Sequence, residues 1–171
     1  MGKKTEPWFK AKWYAEQAVH ASGVGTTILR PSWIYGPKDK SLNRILAQAR
    51  TLPFLPMIGN GKNRVQPLFV EDLAAIFPYL VGEASFLPGR DRIFEIGGPE
   101  EMTMKTMLQR ALNAAGLKRV ILPIPNFLMR PILGKAVDFI TMDVSINMEP
   151  FKKAYPQFKP KSLEATLKSY L

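Results

Sequence analysis

An α/β fold is predicted by the alternation of short β-rich runs with helical segments along the 171-residue chain. The small and apolar residues from Trp8 to Ser22 recur at the spacing of one amphipathic helix, and Gly23 stands where that helix is expected to end. The β-rich run Thr26 to Leu29 follows and leads into a loop that is rich in proline and glycine. Helix, strand and loop in this order are typical of an α/β unit.

Further predicted elements continue this alternation. They are a helix over Leu42 to Thr51 with Ser41 as its cap, a tight turn at Gly59 to Lys62, an extended segment over Gln66 to Val70, a helix opened by Glu71 and Asp72 that runs to Leu80, a strand over Ile93 to Ile96, a helix over Met104 to Ala115 capped by Thr103, helical stretches near Phe127 to Thr141 and a helix from Ser162 to Leu171. These strands are few for a self-sufficient parallel sheet, so part of the sheet is expected to be missing.

The composition predicts one domain with an anionic partner. Hydrophobic residues make up 46% of the chain, which is enough to supply a core. Lys and Arg number 24 against 14 Asp and Glu, so the formal net charge is +10. Such a charge suits a nucleotide, a nucleic acid or a lipid headgroup, and the charge alone does not choose among them.

Several classes of site are excluded by the residues that the sequence lacks. It has no cysteine, and its single histidine, His20, cannot build a histidine metal site, so we predict no metal centre. The charges Lys3, Lys4 and Glu6 precede no apolar run, so no secretory signal is expected. No stretch reaches the roughly 18 uninterrupted apolar residues of a membrane span. We expect a soluble, cytoplasmic protein.

A family resemblance is carried by four motifs in a fixed order. The run WFKAKWYAEQAVHASGVGTTILRPSWIYGP, Trp8 to Pro37, resembles the stretch of extended short-chain dehydrogenases/reductases, the NAD-dependent epimerase/dehydratase family, that begins at the active-site helix. Three further pieces follow in the family's order: GNGKNRVQPLFVEDLA (Gly59 to Ala74), RIFEIGGPEEMT (Arg92 to Thr103) and FKPKSLEATLKSYL (Phe158 to Leu171). The resemblance covers nearly the whole chain and corresponds to the C-terminal part of such a protein.

The resemblance implies a partial Rossmann-like, NAD(P)-binding fold from which the N-terminal glycine-motif half is missing, together with a small C-terminal substrate-side α/β region. We expect residues 1–171 to form one compact domain. Residues 1–38 would supply the active-site helix, a strand and the nicotinamide-side loop. Residues 39–171 would form the substrate-side region, with a return strand near 92–98.

The catalytic pair of the family is incomplete in this sequence. Family members carry Tyr and Lys four residues apart on the active-site helix, where the tyrosinate moves a proton and the lysine lowers the tyrosine pKa and holds the cofactor ribose. The register places Lys12 at the lysine position and Trp8 at the tyrosine position, and an indole cannot serve as that acid or base. Lys12 as a solvated lysine, and Trp8 as an aromatic packed at a helix start, are the structural alternatives.

No displaced tyrosine replaces the missing one. A lysine four residues on is absent after Tyr14, Tyr35 and Tyr79, where the sequence has Ala18, Asp39 and Glu83. Tyr155 does have Lys159 at that interval, but the intervening Pro156 disfavours a helix.

The resemblance implies NAD or NADP as cofactor. Lys12 would contact the nicotinamide ribose, and the loop residues Pro31, Ser32, Trp33 and Ile34 would lie against the nicotinamide, unless the loop is only a proline-bounded turn. Neither the glycine-rich dinucleotide motif nor a P-loop occurs in the sequence, so cofactor binding by the chain alone is expected to be weak or lost.

On the substrate side the resemblance implies roles for Asn43, Arg64 and Gln66. Sugar-nucleotide epimerases commonly carry an Arg-Asp pair just before the V-x-D element, whereas this sequence has Val65 and Gln66 followed by Pro67. That variant is similar to the atypical branch of the family, which includes an accessory subunit of respiratory complex I. The small-molecule substrate is not identified by the sequence.

Two functions from different classes stay open. The first is an NAD(P)-dependent epimerase, dehydratase or reductase that is weakly active or inactive by itself. The second is a non-catalytic assembly module that uses an exposed sheet edge or a basic-apolar surface, as a homo-oligomer or with a missing N-terminal half. Such a surface is predicted where Lys118, Arg119, Arg130 and Lys135 flank the apolar Phe127 to Ile140, which suits an acidic membrane. Nucleic acid is disfavoured because no recognised binding motif occurs.

Overall fold

The computed structural model describes residues 7–81 and 91–171, with the side chain of Trp8 left out. The expectations that rest on Lys3, Lys4, Glu6 and Glu83 therefore lie outside the described residues. In chain order the elements are α1 (Pro7–Ala21), β1 (Thr27–Pro31), β2 (Ile34–Tyr35), α2 (Leu42–Thr51), β3 (Phe54–Ile58), β4 (Arg64–Val65), β5 (Leu68–Phe69), α3 (Val70–Ala74), α4 (Phe77–Val81), β6 (Arg92–Ile96), β7 (Met102–Thr103), α5 (Met104–Ala114), β8 (Val120–Ile124), α6 (Asn126–Leu133), α7 (Ala136–Ile140), α8 (Glu149–Ala154) and α9 (Leu163–Lys168).

Parallel strand pairs confirm the α/β fold. Strand β6, the predicted return strand, runs parallel to β1 with Thr27 opposite Arg92 and Pro31 opposite Ile96. Just beyond this pair, β2 runs parallel to β5. Within residues 7–81 and 91–171, β6 is the strand that pairs with β1, and the second edge of β1 has no strand partner.

A third parallel pair was not predicted from the sequence. Strands β3 and β8 align in parallel, with Pro56 opposite Leu122 and Met57 opposite Pro123. Proline has no N–H to donate, so it fits a strand only where that N–H would point away from the partner. A two-stranded pair has such positions on its free edges, and this is why the prolines did not prevent these strands.

Two buried clusters hold these layers together. The first collects α5 side chains that recur at helical spacing, such as Met107 and Ala111, against α2, α9, β3 and β8. The second is centred on an aromatic group in which the Phe94 ring meets Phe151 edge to face at 5.5 Å and Tyr155 at 5.7 Å. Strand β6 and helix α8 are joined through this group.

Helix α1 is present where it was predicted, but its apolar stripe is not buried. Ala11, Ala15, Ala18 and Val19 are all exposed, because no described element packs over them. Polar contacts attach the helix instead: Glu16 pairs with Arg30 of β1, and His20 Nδ1 lies 2.9 Å from the Asp91 carboxylate beside β6. The apolar stripe of this helix is therefore uncovered in the described part of the chain.

The predicted N-terminal caps of α5 and α2 can be compared with the structure. Thr103 caps α5 as predicted, since its hydroxyl accepts a hydrogen bond from the N–H of Thr106. Ser41 makes no such bond to α2. The carboxylate of Asp39 serves there, accepting from the backbone N–H of Ser41 at 2.9 Å and of Leu42 at 2.6 Å.

The helix predicted to run from Glu71 to Leu80 is interrupted. Helix α3 ends at Ala74 and α4 begins at Phe77. Pro78 explains the break, because in a continuous helix its ring would clash with the carbonyl of Ala74, four residues earlier, and would leave that carbonyl without its N–H donor.

Candidate functional site

A cleft of about 1600 Å³ lies between α1, the loop after β1, α2 and the segment around residues 139–146. This volume exceeds the roughly 300–1,000 Å³ of most small-molecule pockets. The predicted residues Lys12, Pro31, Ser32 and Trp33 line it together. Two segments 19 residues apart in the sequence thus share one cavity, as a nicotinamide site would require.

The loop from Pro31 to Trp33 is fixed by hydrogen bonds from both sides. The N–H of Ser32 donates to the carbonyl of Ile96 at 2.8 Å, and its hydroxyl donates to the carbonyl of Gln66 at 2.6 Å. The N–H of Leu68 donates to the carbonyl of Trp33 at 2.8 Å. The loop therefore presents a pre-formed surface to the cleft, at the carboxyl end of a parallel strand, where α/β proteins bind ligands.

Lys12 lines the cleft because α1 is attached to β1 through Glu16, one helical turn after Lys12. Arg30 Nε and Nη2 donate to the two oxygens of Glu16 at 2.9 and 2.6 Å. These hydrogen bonds lower the pKa of Glu16 and keep it ionised. Residues four apart lie on one face of a helix, so the contact that holds Glu16 on β1 also directs Lys12 toward the loop.

The fourth loop residue, Ile34, is not among the cleft-lining side chains. It lies in β2 opposite Leu68 of β5. Its predicted contact with the nicotinamide stays a prediction.

The three side chains predicted on the substrate side are engaged with the protein and are not among the lining of this cleft. Asn43 Nδ2 donates to the carbonyls of Gly36 and Pro37, while its Oδ1 is a buried acceptor without a partner in the described structure. Arg64 donates from Nε to Glu101 at 2.7 Å. Gln66 is buried and donates to the carbonyl of Gly98 at 2.8 Å. Their roles in substrate binding stay predictions.

The tyrosines differ in what their hydroxyls can do. Tyr35 is buried, its hydroxyl lies 2.5 Å from that of Thr166, and burial raises its pKa to about 12. Tyr155 lies inside the aromatic cluster. Tyr14 is exposed and lines the cleft beside Trp13, its T-shaped neighbour at 5.1 Å. Sequence reasoning missed Trp13 and Tyr14 as cleft residues, because it searched only for a Tyr followed by Lys four residues on.

Comparison with known proteins places this geometry in a family. The family model for the NAD dependent epimerase/dehydratase family matches residues 3–97. The chain is 29% identical over 149 residues to the mitochondrial NADH dehydrogenase [ubiquinone] 1 alpha subcomplex subunit 9 of Arabidopsis thaliana, a match that covers 86% of this chain and 35% of that protein. It is 32% identical over 120 residues to the 2-alkyl-3-oxoalkanoate reductase of Stenotrophomonas maltophilia, covering 67% and 36%.

Among solved structures, dTDP-glucose 4,6-dehydratase from Bacillus anthracis in complex with NAD superposes with a TM-score of 0.76 at 20% identity, over 98% of this chain and 51% of that one. This similarity shows a Rossmann-type fold. The chain spans about a third of the length of these curated relatives and about half of this solved chain. On the family match and the shared fold, the chain belongs to the NAD dependent epimerase/dehydratase family.

Proposed function

We propose that this chain contributes the lysine and the nicotinamide-side loop of an NAD(P)-dependent reductase or epimerase site. The observation that carries the proposal is the common cleft of Lys12 and the hydrogen-bonded Pro31–Trp33 loop. The nicotinamide ring supplies or accepts a hydride at C4 when it is bound. The ammonium of Lys12 would hold the ribose hydroxyls, and the backbone of the loop would orient the ring.

Proton transfer is the weak step of this site. Trp8 occupies the family's tyrosine position in α1, one turn before Lys12, and indole does not exchange a proton near neutral pH. We therefore propose that the chain by itself turns over slowly or not at all, and, because its sequence lacks the glycine-rich dinucleotide motif, that it binds NAD(P) weakly. A general acid or base contributes about 10²–10⁴-fold to a rate, and this is the loss expected at this position.

Titration with NADH and NADPH tests the cofactor proposal. Trp13 and Trp33 line the cleft, so energy transfer from indole to the reduced nicotinamide reports binding there. Lys12→Ala should weaken binding about 10-fold, because it removes a charge-assisted hydrogen bond. Lys118→Ala is the matched control, an exposed lysine that does not line the cleft. Equal binding by the two variants, or no binding of either nucleotide, would contradict the proposal.

Trp8→Tyr tests the catalytic part in the opposite direction. The variant restores a phenol four residues before Lys12, so NADPH oxidation with a 2-alkyl-3-oxoalkanoate should rise by at least 10-fold over the parent chain. The double variant Trp8→Tyr/Lys12→Ala should lose that gain. If NADPH binds to Trp8→Tyr and turnover does not change, the assignment of Trp8 to the proton-transfer position is wrong.

A second candidate function is assembly, favoured by two features of residues 7–81 and 91–171: the second edge of β1 has no strand partner there, and nothing there covers the apolar stripe of α1. An unpaired edge offers N–H and C=O groups to another strand, and the exposed α1 stripe lies on the same unit. The subunit 9 relative is named as part of an NADH dehydrogenase, and this also supports an assembly function. We propose a homo-oligomer or a complex with a second α/β unit. Sedimentation as a monomer at micromolar concentration would argue against the homo-oligomer.

The basic-apolar surface predicted near α6 is exposed. The side chains of Phe127 and Ile132 are 71% and 74% exposed, and none of α6 is buried. Patches of this kind mark contact surfaces. In the part of the chain that the structure describes, every helix is too short or too polar to span a bilayer. We propose that α6 contacts the surface of an acidic membrane.

A further inference from the structure

We infer that the cleft takes an anionic amphiphile, a ligand with a flexible apolar chain and a carboxylate or phosphate group. The inference rests on the proposed function, because it names the substrate class of the same cleft. Three observations support it. The lining has cationic side chains without ion-pair partners, most of its neutral polar side chains already donate hydrogen bonds within the protein, and its apolar wall is rich in methionine.

Uncompensated positive charge lines the cleft. The side chains of Lys10, Lys12, Lys40 and Arg44 have no ion-pair or hydrogen-bond partner among residues 7–81 and 91–171. With Arg30 the lining holds five cations against three acids, so five minus three leaves a net charge of +2. All four of these unpaired residues are exposed, so their charge lies at the mouth of the cleft, where it attracts an anionic group.

The acids of the lining are already engaged. Glu16 is held by Arg30, Glu95 accepts the N–H of Asn147 at 2.8 Å, and Asp143 accepts the N–H of Arg64 at 2.7 Å. They are therefore poorly placed to pair with the four unpaired cations, which are left for a ligand.

Neutral polar side chains of the lining are mostly committed as donors. Ser32 donates to the carbonyl of Gln66, Ser41 to Asp39 at 2.7 Å, and Asn63 to the carbonyl of Met142 at 3.2 Å. Ser145 donates to Glu101. A sugar needs many hydrogen bonds to replace those it makes with water, and unmet ones cost about 1–3 kcal/mol each. Beyond the ribose that Lys12 would hold, the cleft therefore favours an apolar substrate body over a polyhydroxylated one.

The apolar wall suits a flexible chain. Four methionines line it: Met57, Met104, Met129 and Met142. Their unbranched thioethers adapt to ligands of variable shape better than branched side chains do. Phe139 and Ile140 continue this wall and are 54% and 38% exposed, so the apolar end opens at α7. A chain could enter there with its anionic group on the cations of α1 and α2.

Binding of matched surfactants below their micelle concentrations tests the inference. The probes are laurate, dodecyl phosphate, dodecyltrimethylammonium and inorganic phosphate, followed by Trp fluorescence and titration calorimetry. Laurate or dodecyl phosphate should bind saturably, at least 10-fold tighter than the cationic probe. Shortening laurate should weaken binding about 3- to 4-fold per methylene. The better of the two anionic probes identifies the head group as carboxylate or phosphate.

Variants locate the site. Lys40→Ala/Arg44→Ala should weaken laurate binding at least 10-fold, whereas Lys159→Ala, at an exposed lysine outside the cleft, should not, and circular dichroism confirms that each variant is folded. Equal affinity for anionic and cationic surfactants, or dodecyl phosphate no tighter than inorganic phosphate, would overturn the inference.

NADH titration of the same samples separates the two proposals. NADH binding without surfactant binding would contradict the inferred substrate class and would support the cofactor proposal. Surfactant binding without NADH binding would support the amphiphile and overturn the cofactor proposal.

Discussion

Replacing Tyr35 by Phe tests how the loop beside the cleft is tied to the C-terminal helix. The hydroxyl of Thr166 has a single hydrogen and lies 3.0 Å from the carbonyls of both Ser162 and Leu163, so it donates there and accepts from Tyr35. Tyr35→Phe removes one buried hydrogen bond and leaves no donor unsatisfied. The expected cost is therefore that of a net hydrogen bond, about 1 kcal/mol, or a fall in Tm of about 2–4 °C.

The partner substitution should cost more. Thr166→Val leaves the Tyr35 hydroxyl buried without an acceptor, which costs about 1–3 kcal/mol. In the double variant neither group is orphaned, so urea unfolding of the four proteins should give a coupling energy near 1 kcal/mol. A Tyr35→Phe chain as stable as the parent, or strictly additive effects, would refute the hydrogen bond.

High pH gives an independent check on Tyr35. Burial raises its pKa from 10.0 to about 12 in the folded chain, so between these values the unfolded state has released a proton that the folded state retains. Stability is therefore full below pH 10 and falls as pH rises toward 12, by about 2–3 kcal/mol from this group. Tyr35→Phe lacks this loss, and its disadvantage at pH 7 should shrink or reverse. Parallel unfolding curves at all pH values would contradict the assignment.

The structure predicts the direction in which three further substitutions change stability or membrane binding. Tyr170→Phe removes a buried hydroxyl without a partner among the described residues, so urea unfolding should show unchanged or up to about 1 kcal/mol greater stability. Gly98→Ala would place a Cβ 1.9 Å from the carbonyl oxygen of Pro67 and should cost about 3 kcal/mol or more, measured by thermal unfolding. Phe127→Ser/Ile132→Ser should reduce co-sedimentation with phosphatidylserine vesicles without lowering Tm, because both side chains are exposed.

Local signals predicted much of the fold, and their failures have physical causes. The glycines at 59 and 61 take positive φ values of 77° and 67°, as the predicted turn requires. Strands β3 and β8 were missed because each contains a proline, and only the pairing itself shows that the missing N–H is tolerated. The α1 stripe has helical spacing, but whether anything covers it depends on tertiary contacts that spacing does not encode.

Some residues of the candidate site could likewise be predicted from the sequence, and others could not. The order of the family's motifs predicted that Lys12 and the Pro31 loop face one cavity, and both line the cleft. The commitments of Arg64 and Gln66 could not be read from the sequence, because their partners Glu101 and Gly98 lie 37 and 32 residues further on. A single sequence gives residue types but not which of them neutralise each other.

The clasp that holds α1 has a consequence for the working conditions of the cleft. One wall of the cavity is attached by polar contacts, the ion pair of Arg30 with Glu16 and the hydrogen bond of His20 with Asp91, and none of the described side chains of α1 is buried. Hydrogen bonds from Arg30 and from His20 lower the pKa of Glu16 and of Asp91, so both carboxylates are ionised near neutrality, and acid that protonates them weakens the attachment. Added salt screens the same contacts. The cavity is thus bounded on one side by a wall whose position responds to the ionic medium.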